Sequence, residues 1–269
     1  MKPVNARNVK KQNVHVIRNN FLLIRCFKGL DFLNPLFMCI IISNENFIYM
    51  KWNTEIDLDK HNVWFTSDLH LFHGNIIWMN KRPFKDVYEM YEYFKNEWNS
   101  KVKPDDYVFV LGDVLWGSQA TKLESLAKEL NGNICIVLGN HDKEKTRNGV
   151  TGSNFDCFHS YGRAEFIRIK SALKGIDQLV FLSHYPALSW PNKGRGSIHL
   201  HGHVHGMMDD FNEASPDLRV DVGVDAKLGY MKLLSFEEIY EYFIHKAGDV
   251  PLVSYMQNLY NKKREDIII

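Results

Sequence analysis

The sequence predicts an α/β protein whose sheets are covered by helices, and three observations carry that prediction. Short apolar runs such as Tyr107-Val108-Phe109-Val110-Leu111 and Ile134-Cys135-Ile136-Val137-Leu138 read as buried strands. Amphipathic helical stripes lie between such runs. The strands also stop abruptly on Asp, Asn or His, which delivers polar groups to the rim of a sheet, where α/β proteins place their sites.

Taken in order, residues 1–50 are basic and Asn-rich, with broken apolar clusters (Phe21–Ile24, then Leu36–Ile42) and no sustained periodicity. Three readings stay open for them: an added arm, a weakly folded extension, or translation from a start codon upstream of Met50. From Met50 the signals sharpen. Val63-Trp64-Phe65-Thr66 reads as a strand running into Ser67-Asp68-Leu69-His70. A helix is expected from about Asp86 to Ser100, because Val87, Met90, Tyr91, Phe94 and Trp98 form one apolar stripe. The strand Tyr107–Leu111 ends at Gly112-Asp113. A second helix, with Leu123, Leu126, Ala127 and Leu130 on one face, closes at Asn131-Gly132. The strand Ile134–Leu138 then runs into Gly139-Asn140-His141-Asp142.

Beyond a polar, Gly-punctuated stretch, strands are expected at Glu165–Ile169 and at Leu179–Leu182, the latter ending at Ser183-His184. Ile198-His199-Leu200 leads into His201-Gly202-His203-Val204-His205-Gly206, and Arg219–Val224 alternates as a strand would. Ser235 and Glu238 form a capping box that opens a helix over Phe236–Ile244. The organisation is an extension (1–50), a principal domain (51–250) and a tail (251–269) whose Lys262-Lys263-Arg264 reads as a solvated face.

The 269 residues are 45% hydrophobic and 13% aromatic, enough for one large domain with a substantial core. Lys+Arg 33 against Asp+Glu 32 gives no overall electrostatic case for nucleic acid or a membrane surface. Seven basic and two acidic residues put positions 1–50 at +5, and 26 against 30 leave the remainder at −4. The four cysteines show no CxxC spacing, so a reduced, cytosolic setting is expected. The apolar run Leu36–Ile42 is far shorter than the roughly 20 residues of a membrane helix, and no small-residue cleavage site follows it.

Asp-X-His after a strand is a weak signal, Gly, Asn and Asp are ordinary turn formers, and a lone His184 is commonly a packed histidine. His201-X-His203-X-His205 is stronger, since alternate imidazoles on an extended segment point to one side. His15, His61, His159, His199 and His245 lack such context and read as incidental. Jointly, Asp68, Asp113 and Asn140 supply oxygens and His70, His184, His203 and His205 supply imidazoles, all at strand ends. Mixed N/O ligation suits a divalent ion such as Mn, Fe, Zn or Ni. Seven ligands exceed what one catalytic ion with an open position takes, and they suit two ions sharing a carboxylate.

With Asp68-Leu69-His70, Gly112-Asp113, Gly139-Asn140-His141-Asp142, His184 and Gly202-His203-Val204-His205 in this order, the chain resembles the calcineurin-like metallophosphoesterase family. The run Ser67–Ile77 and Arg82-Pro83-Phe84 are similar to its small bacterial and phage members. The resemblance implies a two-sheet β-sandwich flanked by helices (αββα). It implies two divalent ions, Mn first among them: Asp68, His70 and His205 on one, Asn140, His184 and His203 on the other, Asp113 bridging. It further implies a metal-bound hydroxide as nucleophile, His141 as general acid, Asp142 orienting His141, and a small phosphate ester or nucleotide, mono- or diester, as substrate. No substrate-cap insertion lies between the motifs. His73, Asn75 and Arg82 are further candidates, Arg82 either as a cation for a phosphate oxygen or as an ordinary surface residue.

Two rivals follow from the same residues. A nuclease or cyclic-nucleotide phosphodiesterase would share the fold, but residues 51–269 carry no basic, aromatic-laced face for nucleic acid. A non-catalytic protein-binding scaffold would be expected to lack ligands or the acid, and all are present.

Overall fold

A computed structural model describes residues 40–43, 46–49, 54–116, 126, 128–142, 158–160 and 164–265. Two compact units divide the chain, Met1–Trp52 and Asn53–Ile269. In the first, β1 (Ile40–Ser43) pairs antiparallel with β2 (Asn46–Tyr49).

The second unit holds two five-stranded mixed sheets. One is built from β4 (Val63–Thr66), β5 (Tyr107–Val110), β6 (Asn133–Ile136) and β7 (Phe158–Ser160), all parallel, with β12 (Leu234–Ser235) antiparallel at the edge. The other runs in the order β11 (Arg219–Asp221), β10 (Ile198–His201), β9 (Ile176–Ser183), β8 (Ala164–Ser171), β3 (Thr54–Asp57), of which only β8 and β9 pair antiparallel. Alternation along the strands sends side chains to two cores. Phe65, Phe109 and Cys135 face Ile167, Val180, Leu182, Ile198 and Leu200 of the other sheet. Val108, Val110, Ile134 and Ile136 face the helical layer instead. This is the helix-flanked pair of sheets that the sequence and its family resemblance imply.

Helix α1 (Gly74–Met79) was not foreseen, being a single short turn-and-a-half that buries Ile76. Helix α2 (Val87–Lys101) starts where Asp86 accepts the N–H groups of Tyr88 and Glu89, and it buries the expected Met90, Phe94 and Trp98. Leu126 is buried, while the expected helix around it lies mostly outside the described residues. Helix α3 (Asp209–Ala214) precedes β11, and α4 (Phe236–Lys246) opens with the Ser235–Glu238 capping box. Residues 252–265, set apart as a tail by sequence, form helix α5 (Leu252–Glu265), whose Leu252 and Met256 are buried in the same core as α4. No helix among the described residues is long and apolar enough to cross a membrane.

β3 was also missed. Its Thr54-Glu55-Ile56-Asp57 buries only Ile56, as an edge strand does, and leaves no apolar run to find.

Candidate metal centre

Both sheets send loops to one place. Asp68 and His70 follow β4, Asp113 follows β5 and Asn140 follows β6, while His184 follows β9 and His203 and His205 follow β10. The loops after β4 and β5 are laced together: Asp68 N–H donates to Gly112 O at 3.1 Å and His70 N–H to Asp113 O at 2.9 Å. Between the sheets, Val224 N–H donates to Ser67 O at 3.1 Å, and His203 N–H donates to Asp68 Oδ2 at 2.8 Å.

Five of the seven candidate ligands have left-handed backbone: Asp68 (φ 57°), His70 (47°), Asp113 (55°), His203 (71°) and His205 (48°). Each such conformation costs of order 1–3 kcal/mol in a non-glycine residue and persists where surrounding bonds impose it. The expectation of an extended His201–His205 segment is therefore corrected. β10 ends at His201, whose buried ring turns away to Asn212 (Nδ2 to Nε2, 3.1 Å), and His203 and His205 reach the cluster through the turn that follows. Gly202 permits this turn, since a Cβ there would collide with Ser67 and with the Asp68 carboxylate. Gly112, at φ 94°, is likewise confined, because a Cβ would sit 2.5 Å from the His184 ring.

The side chains fall into two groups whose donor atoms lie within 4.8 Å of one another: Asp68, His70 and His205, and Asp68, Asp113 and His184. Oδ2 of Asp113 stands 3.6 Å from His70 Nε2 and 3.4 Å from His184 Nε2. Asn140 Oδ1 lies 2.9 Å from His184 Nε2, and the His203 ring packs edge-on to that of His184. His141 donates its main-chain N–H to Asp113 Oδ1 at 2.8 Å, and its ring borders His70 (5.5 Å) and Trp116 (4.6 Å).

The donor set fits divalent ions. Asp68 Oδ1 and His70 Nε2 are buried and have no hydrogen-bond partner, a costly arrangement for polar atoms that face one another across a cluster. His184 Nδ1 donates to Leu111 O at 2.7 Å, so its Nε2 faces two further acceptors, Asp113 Oδ2 and Asn140 Oδ1. Only a second proton or a cation reconciles those three atoms. Burial also sets the protonation of these groups. Burial raises the Asp68 pKa and lowers that of His70 to about 3, keeping the His70 imidazole neutral for ligation. Burial also opposes charge on Asp113 and His184, but their mutual contact together with His141 N–H and His70 beside Asp113, and Asp68 and Leu111 O beside His184, more than offsets it, lowering the first and raising the second.

Asp142 does a different job from the one expected. Its Oδ2 accepts the N–H groups of Asp113 and Gly139, both at 2.8 Å, and its Oδ1 that of Val114 at 3.3 Å, so it clamps loops instead of orienting the His141 ring. Arg82 is also redirected. It is buried and makes a two-pronged pair with Asp225 (2.9 and 2.7 Å), which leaves it no free fork for phosphate. His73 stacks on Trp116 at 3.6 Å, and Asn75 is exposed on α1. His199 is buried with both ring nitrogens bonded, to Phe181 O and Ala187 N–H, and is structural.

Asp225 escaped the sequence reading. Its Oδ2 accepts from His205 Nδ1 at 2.7 Å and from Asn80 Nδ2 at 2.7 Å. Burial would raise its pKa, but the bonds from His205 and Arg82 more than offset that and hold the carboxyl well below the usual range. The signal was present: Val220, Val222 and Val224 alternate and stop on Asp225, another apolar strand ending in a carboxylate.

A family model described as calcineurin-like phosphoesterase matches residues 61–215. The Gene 66 protein of Mycobacterium phage L5 is 30% identical over 201 residues, covering 68% of this chain and 95% of its own length. The Gene 66 protein of phage D29 is 28% identical over 67% of this chain and 94% of its own. A solved structure of a protein of unknown function, AQ665 from Aquifex aeolicus, is 25% identical, covering 68% of this chain and 99% of its own, with a TM-score of 0.49.

Proposed function

The chain belongs to the calcineurin-like phosphoesterase family, and from that premise we propose that it hydrolyses small phosphate esters at a dinuclear centre. The observation that carries the two-ion reading is Asp113 Oδ2, flanked by His70 Nε2 and His184 Nε2 at 3.6 and 3.4 Å. Those imidazoles are assigned to different ions, so one carboxylate oxygen is available to both. Asp68, His70 and His205 would hold the first ion, and Asn140, His184 and His203 the second; the N/O set suits Mn, Fe, Zn or Ni, and the family resemblance puts Mn first. Divalent ions there would polarise the phosphoryl oxygens and bring the pKa of water down to about 7.

The chain's own residues do the rest. His141, pinned through its main chain to Asp113, presents its ring beside the cluster and donates a proton to the departing oxygen. Trp116 and His73 wall that side and limit the motion of the His141 ring. Asp142 keeps the loops of Asp113 and Gly139 in register, so acid and bridge move as one unit.

The test is metal analysis of the purified protein alongside hydrolysis of bis-p-nitrophenyl phosphate and p-nitrophenyl phosphate with Mn, Zn, Ni or Mg. Close to two ions per chain are expected, with turnover lost to a chelator and restored by Mn. One tightly held ion with full activity would overturn the two-ion reading.

A further inference from the structure

We propose that Arg82 and Asp225 are positioning residues that set the affinity of the first ion, held by Asp68, His70 and His205, without affecting the second. The proposal rests on the two-ion reading above.

The argument starts from hydrogen-bond bookkeeping around one buried guanidinium. Arg82 Nε and Nη2 donate to the two oxygens of Asp225 at 2.9 and 2.7 Å. Of its remaining N–H groups, one on Nη2 donates to the main-chain oxygen of Asp68 at 2.7 Å and those on Nη1 to the main-chain oxygen of Leu69 at 2.8 Å and to Met90 Sδ at 3.4 Å. The same side chain thus grips the Asp68–His70 loop of one sheet and the acid that follows β11 of the other.

Asp225 passes the constraint on. Its Oδ2 accepts from His205 Nδ1 at 2.7 Å, and a carboxylate can only accept, so Nδ1 carries the proton and the 2.8 Å approach of Asn80 Nδ2 to Nδ1 is a side-by-side contact of two donors on that oxygen. Nε2 is then the lone-pair nitrogen, and it stands 3.8 Å from Asp68 Oδ1, the orphaned oxygen of the cluster. Asn80 adds a donor to the same carboxylate oxygen at 2.7 Å. An outer acid that fixes a ligand histidine's tautomer and ring angle typically changes metal affinity 10–100-fold when removed. Among the candidate ligands the bond from Asp225 itself goes to His205 alone, and Arg82 reaches Asp68, which belongs to both donor groups, only through its main-chain oxygen; His184 is fixed independently by Leu111 O. The effect should therefore fall on one ion.

Titration of the metal-free full-length chain with Mn, followed by calorimetry and by the electron paramagnetic resonance of the bound ions, tests this. Asp225→Asn should bind one Mn as tightly as the wild type and the other 10–100-fold more weakly, with a mononuclear spectrum at one equivalent. Arg82→Lys should act in the same direction, since an ammonium cannot reproduce the fork. Unchanged affinities, or equal weakening of both ions, would overturn the proposal, because general loosening spares neither. If Asp225→Asn fails to fold, Asn80→Ala leaves the Arg82–Asp225 pair intact and should weaken the same ion several-fold; no change there overturns it. A wild-type chain that takes up a single ion sinks the two-ion reading instead. The pair is then judged on that ion, and an unchanged affinity in Asp225→Asn refutes it.

Discussion

Oδ2 of Asp142 accepts the main-chain N–H of Asp113 at 2.8 Å, joining two loops that leave neighbouring parallel strands. Asp142→Ala strands that N–H together with those of Gly139 and Val114. Loss of such buried bonds should cost roughly 1–3 kcal/mol. Thermal melting should record a drop of several degrees, with activity falling as Asp113 and His141 drift apart. An unchanged melting temperature would show that the clamp contributes nothing.

Asp113→Asn removes a negative charge flanked by imidazoles of both proposed ions. At least one ion should be lost from the purified protein, and activity with it, as read by elemental analysis after dialysis. Retention of two ions would mean that Asp68, which belongs to both donor groups, is the bridge.

His141→Ala should leave metal content unchanged while kcat falls about 10²–10⁴-fold, the usual contribution of a general acid. The deficit should shrink for p-nitrophenyl esters, whose leaving group scarcely needs a proton, and grow for alkyl phosphates. Equal losses on both substrates, or loss of metal, would make His141 a binding residue or a ligand.

A chain starting at Met50 should fold and keep its specific activity within a few-fold, because every candidate ligand and both five-stranded sheets lie in the unit Asn53–Ile269. Expression as insoluble protein would assign residues 1–49 a part in folding.

Lys246, which is not a candidate ligand, supplies a pH test. Its ammonium donates to the main-chain oxygens of Asn212 and Asp217, and burial lowers its pKa to about 8. The unfolded chain, with an ordinary lysine value of 10.5, binds the proton more tightly, so between pH 8 and 10.5 folding gains stability as pH rises. The melting temperature of the wild type relative to Lys246→Met should therefore climb across that window. A constant difference would mean that Lys246 titrates as it does in the unfolded chain.

The strands that carry the site were legible because buried parallel strands are near-continuous apolar runs and their polar stops are conspicuous. Val108, Phe109 and Val110, or Ile134 to Leu138, could hardly be read otherwise. The backbone at the ligands was not legible. His203 and His205 were expected on an extended segment, yet their left-handed conformations are imposed by distant partners such as Asp68, which no local pattern encodes. Arg82 was misread for a related reason. A lone arginine near a metal motif suggests a phosphate contact, and only the tertiary structure reveals that Asp225, 143 positions on, already occupies its fork.

Because Asp68 and Asp113 hang from one sheet and His184 and His205 from the other, a bound ion counts as a reactant in the folding equilibrium. Only the chain with its sheets packed presents the full set of donors, so each tenfold rise in free ion above its dissociation constant adds about 1.4 kcal/mol to stability per site. How long this protein lasts in solution would then follow the metal supply around it, and starving it of metal would erode the fold along with the chemistry.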